Sequence, residues 1–225
     1  MAWGRPTVDP DLRGIVNDLH DEQRKVTRRY ERMARFYDFY DAPMDWMGTR
    51  RRRRPLVARA KGLVLEAGVG TGKNIPYYTE DVEVVGIDVS AKMLARAKER
   101  VRASGREVRL GLADVTDLPL PDSSFHTVVA TSVFCSVADP LAGLRELGRV
   151  TKQDGQILFL EHVRPRNRVG GWISDIVTIL TKRIFGFDVN RRTEEKVSAA
   201  GLVVTAVKRS GVWRTITAVP GTPGH

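Results

Sequence analysis

The chain has 225 residues, 42% hydrophobic and 28% charged, enough for one domain with a sizeable core and a terminal extension. Its single cysteine, Cys135, excludes an internal disulfide framework and suits a reducing cytoplasm, and with only four histidines the chain is poor in zinc ligands. No run approaches the roughly 18 apolar residues of a membrane span, and the opening MAWGRPTVDPDLRG lacks the apolar core of a secretory signal.

The net charge of +10 is unevenly spread. Residues 1–61 hold 15 basic and 9 acidic side chains, a net of +6; residues 62–161 hold 11 and 14, a net of −3. Residues 162–225 hold 11 and 4, a net of +7. Basic flanks therefore frame a mildly acidic centre, and the flanks suit a polyanionic partner.

Residues 1–60 carry no strand pattern. Asp21 to Tyr40 reads as a helical, aromatic-rich, basic stretch that runs into the arginines Arg50 to Arg54. From Gly62 the pattern changes. Residues 62–67 (GLVLEA) form a continuous apolar strand, followed by the glycines of GVGTG, and residues 82–88 (VEVVGID) form a second strand ending in an acid. Ser90 is placed as an N-cap, with Met93, Leu94, Ala97 and Val101 on one helix face and Gly105 past the end. Residues 107–114 and 125–133 read as the third and fourth strands. Asp139 and Pro140 open the next helix as N-cap and first helical residue, with Leu141, Leu144, Leu147 and Val150 facing inward. A turn over Gln153-Asp154-Gly155 then leads to a strand over 156–163. Residues 202–207 and 212–219 form a hairpin joined by the KRSG link, and a Gly/Pro tail begins at Pro220. Apolar strands alternating with amphipathic helices predict an α/β, doubly wound, mostly parallel sheet with an antiparallel C-terminal hairpin. The predicted organisation is a basic helical extension over 1–60, a core domain over 61–219 and a tail over 220–225.

In such sheets a ligand binds beyond the carboxyl ends of the strands, near the reversal of strand order. The first strand runs into Glu66-Ala67-Gly68-Val69-Gly70-Thr71-Gly72, where glycines allow a tight turn and close approach to a ligand. The second strand ends at Asp88, an acid suited to paired hydrogen bonds with ribose hydroxyls. The spacing departs from the dinucleotide G-x-G-x-x-G, and the phosphate-loop pattern fails at Asn74. A nucleoside without phosphate fits better than NAD or ATP.

VLEAGVGTGKN, VVGIDVSAKML, ADVTDLPLPDSSF and LRELGRVTKQDGQILFLEHV together resemble the ordered motifs of the class I S-adenosylmethionine-dependent methyltransferases, over roughly residues 30 to 219. The resemblance implies S-adenosylmethionine as cofactor, with Gly68 and Gly70 approaching its methionine part. It implies that Glu66 faces the amino group, that Asp88 binds the ribose hydroxyls, and that Met93 lies near the adenine. Asp114, with the backbone of Val115, would read the adenine edge. Plain helix packing for Met93 and a turn cap for Asp114 are the competing readings. The reaction implied is in-line transfer from a sulfonium to a nucleophile, in which the protein supplies alignment and dryness.

The acceptor is expected over Ser132 to Val137, after the fourth strand. The [DNS]-P-P-[YFW] motif of planar-nitrogen acceptors and the Pro-Cys pair of pyrimidine methylation are both absent, which weakens the nucleic-acid reading. Cys135 reads as a small apolar packer. Residues 30–38 resemble the N-terminal lid helix of the quinone-biosynthesis and phospholipid methyltransferase group, which makes Tyr37 the first lid candidate and Tyr30 the second. The alternative is that these aromatics pin a helix to the domain. Glu161 and His162 resemble the EHV signature of the same relatives and of membrane-associated thiol methyltransferases. His162 then either faces the acceptor or is a hydrogen-bonded structural histidine. Residues 172–187 (WISDIVTILTKRIFGF) are too short and interrupted to span a bilayer but could lie in an interface or cap an apolar pocket. The arginines, if they reach the surface together, suit an anionic membrane; RNA is the other polyanion they could meet. The leading expectation is a cytoplasmic, peripherally membrane-bound methyltransferase acting on a lipid-soluble acceptor, with phosphatidylethanolamine N-methylation first. Quinone-ring C-methylation and small-thiol S-methylation follow, then RNA methylation, then a cofactor-binding module without turnover.

Overall fold

The computed structural model of the protein describes residues 24, 25, 27, 28, 31, 32, 48–162 and 193–221. Tyr30, Tyr37 and residues 172–187 lie outside them. The described elements are α1 (Arg50–Val57), β1 (Leu63–Ala67), a 3₁₀ turn (Ile75–Tyr77), β2 (Glu83–Asp88), α2 (Ala91–Ser104) and β3 (Val108–Leu112). They continue with β4 (Phe125–Thr131), α3 (Pro140–Val150), β5 (Thr151–His162), α4 (Thr193–Ala199), β6 (Leu202–Ser210) and β7 (Trp213–Pro220). The seven strands form one sheet in the order β3-β2-β1-β4-β5-β7-β6. Strands β1 to β5 are parallel, and β7 runs antiparallel to both its neighbours. The order reverses between β1 and β4, so a crevice opens at the carboxyl ends of those two strands.

Both sheet faces are covered, which is why β1 and β4 are buried at nearly every position. On one face Leu65, Val128, Ile157, Phe159 and Ile216 pack with Leu144 and Leu147 of α3. On the other, Val64, Val129, Leu158, Leu160 and Trp213 pack with Leu56 and Val57 of α1. The stretch read as an extension from sequence thus contributes, through α1, to the main core. Arg52 and Arg53 turn inward from it, leaving Arg50, Arg51 and Arg54 exposed. The five arginines do not reach the surface together.

Both predicted caps form. The Ser90 hydroxyl accepts from Met93 N at 3.3 Å, and Gly105 ends α2 in the left-handed conformation. The Asp139 carboxylate accepts from Leu141 N and Ala142 N, each at 3.0 Å. Asp139→Ala is expected to cost about 1 kcal/mol, which lowers Tm by roughly 2–4 °C in a chain of this size. Thermal unfolding checks this against Asp139→Asn, which restores most of the loss.

Three boundaries differ from the expectation. Strand β5 begins at Thr151, five residues early. Phe125 pairs with Thr151 and Thr127 with Gln156, so Lys152 to Gly155 bulge within the strand instead of preceding it. Strand β6 extends through Lys208-Arg209-Ser210, and the hairpin turns on Gly211-Val212 alone, with Gly211 at φ +60° in the first turn position. Pro220 is the last residue of β7 and pairs with Leu202, so the sheet extends one residue into the expected tail.

Candidate active site

The loop after β1 folds back on the end of β2. Val69 N donates to Ile87 O, and Gly70 N donates to Asp88 Oδ2, both at 2.8 Å. Gly68 and Gly70 both have positive φ, for different steric reasons. A Cβ on Gly68 would stand 2.6 Å from Val133 Cγ2, whereas one on Gly70 would meet, among the described residues, nothing nearer than Gly68 O at 4.0 Å. Gly68 is required by the protein's own packing; Gly70 leaves its side-chain position empty, facing a cavity.

That cavity is lined by Gly68, Gly70, Asp88, Met93, Val115 and the segment after β4, including Thr131 to Val133, Ser136 and Val137. It encloses about 650 Å³ of empty space, its open mouth included. Five of the seven residues expected at a cofactor therefore share one cavity. Asp88 Oδ1 accepts from Ser90 N at 2.9 Å while Oδ2 accepts from Gly70 N. Burial raises its pKa, opposed by backbone N–H groups of Ser90, Gly70 and Val89.

The other two expected cofactor residues are not among the lining. Asp114 Oδ1 accepts from Thr116 N at 2.9 Å and Thr116 Oγ1 at 2.8 Å, a turn cap. Glu66, only 2% exposed, accepts from Asn74 Nδ2 and Tyr78 Oη, both at 2.9 Å. Asn74 Nδ2 also donates to Thr131 Oγ1 at 3.0 Å, and Arg53 Nη1 donates to Asn74 Oδ1 at 3.1 Å. A buried polar chain therefore runs from α1 through Asn74 to a cavity-wall residue. Sequence reading missed Arg53, Asn74, Tyr78 and Thr131. The failed phosphate-loop position at Asn74 was the one available signal.

Burial pushes the Glu66 carboxyl from 4.5 up to about 7, against the lowering effects of the Tyr78 hydrogen bond, the Arg53 charge and the Asn74 hydrogen bond. Between those values the native state holds the proton better than the unfolded chain. Its contribution to stability is complete below 4.5 and is lost as pH rises through about 7. Glu66→Gln removes this dependence. Relative to the parent, the variant is expected to gain on the order of 3 kcal/mol between pH 4 and pH 8, measured by denaturant unfolding. A constant difference across that range would contradict it.

The wall after β4 is held from β5. Glu161 Oε1 accepts from Val133 N at 3.1 Å and Phe134 N at 3.2 Å, while Ser132 N donates to Leu160 O at 2.8 Å. Ser132 sits at φ +55°, an uncommon conformation for a side-chain-bearing residue, directly in the cavity wall. The Glu of the EHV signature thus shapes the loop expected to meet the acceptor. His162 is buried, its ring edge-on to Trp213 with centroids 6.0 Å apart, and is not among the cavity lining. From the N-terminal stretch, Glu31 Oε1 accepts from Ser90 Oγ and Lys92 N, each at 3.3 Å, at the positive end of α2 beside Asp88. Tyr30 and Tyr37 belong to the same stretch but lie outside the described residues.

The residues present fit S-adenosylmethionine. The empty side-chain position at Gly70 admits close approach, and the Asp88 carboxylate is fixed at the end of β2.

A family model described as a methyltransferase domain matches residues 65–159. A phosphatidylethanolamine N-methyltransferase of Cereibacter sphaeroides is 40% identical over 139 residues, 61% of this chain and 68% of that protein. A ubiquinone/menaquinone biosynthesis C-methyltransferase of Geotalea daltonii is 30% identical over 158 residues, 66% of this chain and 67% of that protein. Among solved structures, an S-adenosylmethionine-dependent methyltransferase of Thermotoga maritima, described as a possible histamine N-methyltransferase, aligns with a TM-score of 0.64. It covers 86% of this chain and 99% of its own at 20% identity, a likeness of fold.

Proposed function

The chain belongs to the class I S-adenosylmethionine-dependent methyltransferases, and from that premise we propose that it methylates the headgroup nitrogen of phosphatidylethanolamine. The observation that carries this reading is the 40% identity to a phosphatidylethanolamine N-methyltransferase, against 30% and 34% to quinone-pathway methyltransferases.

S-adenosylmethionine, when bound, supplies a methyl group activated by its sulfonium. Gly68, Gly70 and Asp88 would hold it, with Met93 and Val115 along the nucleoside and Asp114 and Glu66 behind the wall. The protein's task toward the acceptor is to align a nitrogen lone pair and exclude water. Ser136 Oγ donates to Val133 O at 3.0 Å, which leaves its lone pairs to accept an N–H from the amine. The amine must lose its proton to solvent before its lone pair can attack, and the Ser136 hydroxyl, which is not a base, only orients the neutral amine. Val133 and Val137 supply apolar lining that keeps this end of the cavity dry.

Glu31 at the head of α2 supports a lid role for the N-terminal stretch, whose lid candidates Tyr37 and Tyr30 lie outside the described residues. His162, edge-on to Trp213 and outside the described cavity lining, fits the structural histidine of the two readings. No described helix is long and apolar enough to cross a membrane. We place the working site at the cytoplasmic face of the membrane, reached peripherally.

The test is incubation with methyl-labelled S-adenosylmethionine and phosphatidylethanolamine in neutral detergent micelles, followed by organic extraction and headgroup chromatography. Label in N-methylated headgroups is the expected result. Label on an added demethylquinone but none on the lipid would favour quinone C-methylation, the reading supported by the quinone relatives. Label confined to the aqueous phase would overturn both.

A further inference from the structure

A second concave surface lies away from the cofactor cavity, between α1 and the β6–β7 hairpin. Arg51, Arg52 and Arg59 line it from one side, and Lys208, Ser210 and Thr215 from the other. Its open space is about 1,130 Å³, mouth included. No carboxylate is among the described lining residues, so four cations converge there without a counter-charge from the described residues. That arrangement is self-repelling unless an anion completes it.

The cations are not equally loose. Arg52 Nη1 donates to Gly48 O at 2.9 Å, its Nη2 donates to Ser210 Oγ at 2.7 Å, and the guanidinium lies 5.8 Å from the Trp213 ring centroid. Two of its five N–H donors are thereby used to hold the group in place, and the rest stay available to an oxyanion. Arg59 Nη2 is anchored on Thr217 Oγ1 at 3.0 Å. Arg51 and Lys208 are exposed and complete the ring of charge. A fixed guanidinium flanked by exposed cations suits a phosphodiester, which offers two oxygens sharing one negative charge.

The source of the phosphodiester follows from what else lines the groove. The remaining described lining residues are Pro55 and Leu56, and among the described residues no aromatic side chain lines the groove for a nucleobase to stack on. The Arg52 end sits beside Trp213, which pairs with His162 at the carboxyl end of β5. This is the edge of the sheet on which the cofactor cavity also opens. We propose that the groove binds the phosphodiester of an anionic glycerophospholipid, and so holds the bilayer surface against the edge that carries the donor site. The inference deepens the peripheral membrane association proposed above by giving it a site.

Flotation of the full chain with vesicles of equal parts phosphatidylglycerol and phosphatidylcholine tests it, since neither lipid offers a primary amine for methylation. Binding is expected at low salt and should fall steeply as salt rises. The double variant Arg51→Glu/Lys208→Glu should bind at least tenfold more weakly, with Tm and S-adenosylmethionine affinity unchanged. Lys98→Glu/Arg102→Glu on the exposed face of α2 makes the same change in net charge and should stay within twofold of the parent. Equal weakening by both pairs, or none by the groove pair, would overturn the site. So would displacement of the chain from vesicles by millimolar inorganic phosphate, or tighter binding of a single-stranded RNA that the groove variant loses. The micelle assay contains no anionic lipid, so the acceptor reading stands or falls separately.

Discussion

Asp88→Ala is expected to weaken S-adenosylmethionine binding by at least two orders of magnitude. The carboxylate ends β2 inside the cavity and already fixes Gly70 N and Ser90 N. Its remaining lone pairs are the available acceptors for two ribose hydroxyls. Hydrogen bonds to a charged group contribute roughly 1.5–3 kcal/mol each, so two of them amount to about 3–6 kcal/mol. Alanine also leaves two backbone N–H groups without their acceptor and loosens the glycine loop. Asp88→Asn retains one acceptor oxygen, and a smaller loss of roughly tenfold is expected. Calorimetric titration measures both. Binding of the alanine variant within threefold of the parent would remove Asp88 from the cofactor site.

The second large effect separates two glycines that look alike in sequence. Gly68→Ala places a Cβ 2.6 Å from Val133 Cγ2 at φ +66°, so the acceptor wall must shift. The expected cost is about 2–3 kcal/mol of stability, with cofactor binding lost alongside it. Gly70→Ala meets no atom of the described residues closer than 4.0 Å and carries the left-handed penalty of roughly 1–2 kcal/mol. Its methyl would occupy the space left for the ligand, so binding should fall at least a hundredfold while the fold persists. Paired melting curves and titrations distinguish the two. If both variants lost stability equally, the open position at Gly70 would have no functional meaning.

These two glycines also mark how far the sequence could be read. Apolar runs punctuated by Gly, Asp and Ser located the strands, and Ser90 and Asp139 announced their helices because a cap acts within three residues of itself. The bulge at Lys152 to Gly155 was hidden for the opposite reason. Its residues are turn formers, and their inclusion in β5 depends on pairing with β4 some 26 residues away. The cavity lining followed from motif positions. The chain from Arg53 through Asn74 to Glu66 and Thr131 did not, since its members stand 8 to 57 residues apart and share no periodicity. Arg53 was further concealed among four identical neighbours, of which Arg52 also turns inward while the others face solvent. A homopolymeric run does not reveal which of its members will be buried.

The position of β7 has a consequence for how the chain is made. It follows β6 in sequence yet lies between β5 and β6 in the sheet. During synthesis, Ile157 to Leu160 emerge with one strand edge lacking its partner until residues 213–220 have also emerged. At roughly 5–20 residues per second that interval lasts several seconds, during which an apolar edge is open to pairing with another nascent chain. Low-temperature expression or chaperone supply should therefore raise the yield of native protein more than any single stabilising substitution, because the vulnerable species precedes the native state.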